Sequence, residues 1–80
     1  MNEEILARVR RIAATLFDVP AAKITAETSP ATMEAWDSVQ QLNLVLELEQ
    51  SFGVKLEPEE IDELRSIGDA VRLIEAKRVG

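Results

Sequence analysis

The stretch Trp36-Asp37-Ser38-Val39-Gln40-Gln41-Leu42-Asn43-Leu44-Val45-Leu46-Glu47-Leu48-Glu49-Gln50-Ser51-Phe52-Gly53 decides how the chain folds. Asp37 can accept from the backbone N–H groups that a helix start leaves free, and Gln40 can reach back from three residues on, so the pair fits a capping box. Gly53 stands where left-handed backbone closes a helix at little cost. Between these punctuation marks, Leu42, Leu44, Val45, Leu46, Leu48 and Phe52 predict an α-helix from Ser38 to Phe52. Its apolar residues cover more than one stripe, because Leu44 and Leu48 lie on a different side from Val39, Leu42 and Leu46. More than one neighbour must cover this helix, or part of it stays exposed.

Upstream, Ile5, Leu6, Val9, Ile12, Ala13, Leu16 and Phe17 draw a single helical stripe. Asn2 is its candidate N-cap, Glu3 and Glu4 suit the first turn, and Asp18, Val19 and Pro20 stop it. Asp18 to Trp36 holds two Pro and only scattered apolar residues (Val19, Ile24, Met33), so it reads as a long loop with room for one short helical turn. Trp36 is expected to fasten that loop to the bundle. Downstream, Val54 to Leu56 form an extended link, and Pro58 opens a brief helix through Leu64. Ser66 and Asp69 cap a last helix carrying Ile67, Ala70, Val71, Leu73 and Ile74, with Lys77 and Arg78 at its negative end. The expected fold is all-α: a small, mainly antiparallel four-helix bundle, three helices longer and one short, with a long first loop. Residues 1–80 make one domain, since 80 residues is about half an ordinary domain.

Composition excludes several functions. With no Cys and no His, the chain lacks disulfides, thiolate metal sites and the commonest general base. Glu57 to Glu63 lacks the alternating ligands and central Gly of a calcium loop. Net charge −6 is the wrong sign for nucleic acid or an anionic membrane, and no window approaches a membrane span. A cytoplasmic protein is expected. Residues 34–63 carry nine acids and one base, so a partner with a basic surface is more natural. Ser38 has no adjacent base aimed at it, which argues against a serine hydrolase and leaves helix capping as its plain structural role.

The combination of blocks adds a family. Trp36-Asp37-Ser38-Val39, Leu48-Glu49-Gln50-Ser51-Phe52-Gly53-Val54 and Ser66-Ile67-Gly68-Asp69-Ala70-Val71, in this order and spacing, resemble the acyl carrier proteins over essentially the whole chain. Val19-Pro20, with Ile24-Thr25 after three further residues, looks like their first-loop pattern. Val39 replaces the usual Leu, and Ala35-Trp36 replaces the common Gly-x pair, similar to the Trp-Asp-Ser form of many specialised carrier proteins. The resemblance implies a non-catalytic carrier of acyl or related thioesters, with 4′-phosphopantetheine attached covalently to Ser38, serving fatty-acid or specialised polyketide, peptide or lipid biosynthesis. It implies as partners a phosphopantetheinyl transferase, an acyl-loading ligase or transferase, and synthase enzymes, with the carrier a monomer. It further implies that Leu48, Leu56, Ile61, Leu64 and Ala70 border an acyl cleft, although ordinary core packing also accounts for them. Partner recognition is expected from a negative edge of Asp37, Glu47 and Glu49 with apolar contact from Val39, Val45 and Leu46. The rival reading is an unmodified acidic helical adaptor for a basic protein partner.

Overall fold

The computed structural model describes residues 2–79. Four helices follow one another: α1 (Glu3–Phe17), α2 (Ser38–Phe52), α3 (Pro58–Asp62) and α4 (Ile67–Val79), with a 3-10 turn at Ala21–Lys23 inside the long first loop. α1 packs against both α2 and α4.

In α1 the Asn2 side chain accepts from Ile5 N–H, as the capping pattern requires. Ile5, Val9, Ala13 and Phe17, each four residues apart, form its buried edge. Asp18 ends the helix in left-handed backbone (φ 57°), a conformation that Asp tolerates better than most residues. Loop and bundle are then tied together in two ways. Ile24 and Trp36 are buried in the core, with the Trp36 ring 5.5 Å from that of Phe17. The first N–H groups of α4 are also donated to loop carbonyls, Ile67 to Thr28 at 2.9 Å and Gly68 to Ala26 at 2.8 Å. A Cβ on Gly68 would sit 3.1 Å from that Ala26 oxygen, so the close approach favours glycine.

α2 is capped by Asp37 and closed by Gly53 in left-handed backbone (φ 66°). Leu44, Val45, Leu48 and Phe52 face the core, while Val39, Leu42 and Leu46 stay more than half exposed. The second apolar stripe is therefore left without a cover. α3 is shorter than the expected span to Leu64: helical backbone stops at Asp62, and Leu64 closes a tighter turn onto Ile61. α4 begins as expected, with Ser66 Oγ accepting from Asp69 N–H, and buries Ile67, Ala70, Val71 and Ile74. These side chains join one core with those of α1, α2 and the loop. Among the described residues no helix is long and apolar enough to cross a membrane.

Candidate functional site

Ser38 is the first helical residue of α2 and is exposed, with Asp37 exposed before it. Asp37 Oδ1 accepts from Gln40 N–H at 2.9 Å. The N–H groups of Ser38 and Val39 have no carbonyl one turn earlier to receive them, so the end of the helix favours an anion. The expected return bond of the capping box is not made. Gln40 instead donates to Leu16 O at 3.0 Å, satisfying a carbonyl left free at the end of α1 and tying α2 to it.

Beside Ser38 lies a hollow of about 390 Å³, bordered by Pro30, Trp36, Asp37, Ser38, Gln41, Leu64 and Arg65. Trp36 is 2% exposed, and its Nε1–H donates to Gln41 Oε1 at 2.6 Å. The Gln41 amide nitrogen in turn donates to Ile61 O at 3.3 Å and Leu64 O at 3.2 Å. One side chain thus joins the loop, α2 and the end of α3. Gln41 belongs to neither the capping pattern nor the apolar stripes of the α2 sequence. The signal that reveals it is its spacing, three, four and seven residues before Leu44, Val45 and Leu48, which puts an amide on the apolar face.

The cleft residues Leu48, Leu56, Leu64 and Ala70 are buried in the common core and Ile61 packs partly buried against it. Of the five, Leu64 borders the hollow at Ser38. Among the residues expected to meet partners, Asp37 just before α2 and Val39, Leu46 and Glu47 on it are exposed. Two assignments need correction. Val45 is 5% exposed and belongs to the core, because it follows Leu44 on the buried face, and Leu42 takes its place on the outer stripe. Glu49 is half-buried and turned inward, its carboxylate accepting from Leu56 N–H at 2.8 Å at the entry to α3.

Two carboxylates of this end of the molecule are held below their ordinary pKa. For Asp69, burial opposes ionisation, but the Arg65 N–H, the Arg72 guanidinium at 2.6 Å and Ser66 together outweigh it. For Glu60 the Lys77 ammonium, 2.7 Å away, leads, followed by Glu57 N–H.

The sequence pattern of the phosphopantetheine attachment site family matches residues 7–74. An acyl carrier protein of Thermotoga maritima is 31% identical over 76 residues, which cover 95% of this chain and 94% of that one. The solution structure of a holo acyl carrier protein from Geobacter metallireducens superposes with a TM-score of 0.83 at 31% identity, covering 92% of this chain and 85% of that chain.

Proposed function

The chain belongs to the acyl carrier protein family and is a non-catalytic, phosphopantetheine-bearing carrier, and from that premise we propose that Ser38 holds the arm. The observation that carries this is an exposed hydroxyl at the first position of α2, directly after Asp37 in the matching motif. The surroundings suit the group: a phosphodiester on Ser38 would lie against the free N–H groups of the helix start. The arm supplies the thiol that the protein lacks, and with it the capacity to form thioesters. The chain's own residues position and shelter it. Asp37 fixes the helix start, Trp36 and Gln41 brace the hollow alongside, and the cleft residues Leu48, Leu56, Ile61, Leu64 and Ala70 offer apolar cover to an acyl group.

Partners on this reading are a phosphopantetheinyl transferase, a loading enzyme and synthase enzymes, met in the cytoplasm by a monomer. They would meet α2 through Val39, Leu42 and Leu46, with Asp37 and Glu47 giving a negative edge. Incubation with a transferase and coenzyme A tests the assignment by intact mass. The wild type is expected to gain one phosphopantetheinyl group. Ser38→Ala should gain none while keeping its helical circular dichroism, since Ala is a good helix former. A modified Ala variant would move the attachment site elsewhere, and an unmodified wild type would favour the adaptor reading.

A further inference from the structure

An acyl chain carried on Ser38 would have to pass Gln41 to enter between α2 and α3. Ser38 and Gln41 stand three residues apart and border the same hollow, whose third side is Leu64. Beyond them Leu48, Leu56 and Ala70 are packed in the core. The Gln41 amide closes the way by bonding to two carbonyls, Ile61 O in the last turn of α3 and Leu64 O just past it, while Trp36 Nε1–H fixes its oxygen. We propose that Gln41 is the gate of the α2–α3 cleft, that Trp36 holds it shut, and that α3 is the element that swings. This rests on the reading that the arm is on Ser38.

α3 suits that part. Five helical residues are too few to be stable alone, so its place depends on what holds it. Its polar ties are few and lie at separate points: Glu49 to Leu56 N–H at the entry, Lys77 to Glu60 in the middle, and Gln41 at the end. Releasing the last frees the end nearest Ser38 while the others still hold the entry. When the gate opens Leu64 O loses the Gln41 donor, while Ile61 O keeps the Leu64 N–H, and the cost of the broken bonds is one that new apolar contact inside can offset. A short acyl group can rest in the hollow without disturbing Gln41. A long chain has to displace it, so the gate sorts cargo by length.

The test loads wild type, Gln41→Met and Trp36→Phe with acetyl- or octanoyl-phosphopantetheine, using a transferase and the corresponding acyl-coenzyme A. Aminolysis of each thioester by hydroxylamine is followed by intact mass. Met keeps the length of the side chain and removes both donors; Phe keeps a ring against Phe17 and removes the indole N–H. In the wild type the octanoyl thioester should react more slowly than the acetyl one. Gln41→Met should deepen the octanoyl protection roughly ten-fold, the scale of one or two net hydrogen bonds, and leave the acetyl rate unchanged. Trp36→Phe should move the octanoyl rate in the same direction by less. A merely loosened bundle would lose protection instead of gaining it. Octanoyl protection that is present but equal in wild type and Gln41→Met overturns the gate and leaves the cleft standing. Octanoyl and acetyl rates alike in both proteins overturn the cleft and the gate together, and failure of every form to load overturns the carrier site on Ser38.

Discussion

Trp36 does two jobs with one side chain. Its ring closes the core against Phe17, and its single N–H holds the amide of Gln41. Trp36→Ala should therefore cost about 3–5 kcal/mol, a large share of what a small domain has, and a fall in the urea midpoint would show it. Trp36→Phe should lose much less, since it keeps most of the buried ring. At this scale the sequence was informative about types of role: a lone Trp at the end of a polar loop reads as a fastening, and a Ser after Asp at a helix start reads as exposed. It points Gln40 back at its own helix start, whereas the side chain bonds Leu16 O, and it names no partner for Gln41, because the acceptors of both are backbone carbonyls twenty or more residues away. The inward side of Gln41 could be read from its spacing to Leu44 and Leu48. Its bonds to Ile61 and Leu64 could not, because they depend on where α3 packs.

Helix by helix, punctuation carried the reading. Asn2, Asp37 and Gly53 mark the ends at which α1 starts and α2 starts and stops. Removing the Asp37 cap by Asp37→Ala should cost about 1 kcal/mol of stability, measurable by denaturant melting. α3 ends two residues before the Leu64 that the sequence pattern suggests, since the Pro that opens it has no counterpart to close it, and Leu64 has a helical spacing while turning more tightly into the core. The two stripes of α2 were also legible, but Val45 sits at the border between them and packing draws it in. The outer stripe consequently centres on Leu42 and Leu46. Leu46→Ala should weaken productive encounter with the transferase by about 1–2 kcal/mol, read as kcat/KM, while the exposed neutral Gln50→Ala should leave it near wild type.

Across the molecule, net charge −6 gave the sign of the field but not how the acids are used. Glu49, Glu60 and Asp69 hold the structure together at α3 and the start of α4, which thins the acidic surface left for partners. Association should weaken with salt only modestly, since the exposed charges that remain are screened within about 10 Å at 0.1 M. The same usage fixes a response to acid. Asp69 and Glu60 titrate lower in the folded protein than unfolded, so their stabilisation is fully present above the ordinary carboxylate range and is lost as pH falls through their lowered values. Denaturant midpoints should drop on going from pH 5 toward about pH 3. Asp69→Asn should flatten that drop while starting from a lower midpoint at neutral pH. A variant whose acid profile matched the wild type would show that Asp69 is not part of it.

A lone indole in a chain without tyrosine is also an instrument. All near-ultraviolet emission of consequence comes from Trp36, and its N–H is bound to the side chain that stands over the cleft. Indole emission shifts with the polarity and hydrogen bonding around that nitrogen, so a cargo that displaces Gln41 changes the colour of the light the protein gives off. An acetyl load should leave the spectrum where it was, and an octanoyl load should move it. The carrier needs no dye to be watched filling and emptying in real time, in the presence of any partner enzyme whose own fluorescence can be subtracted.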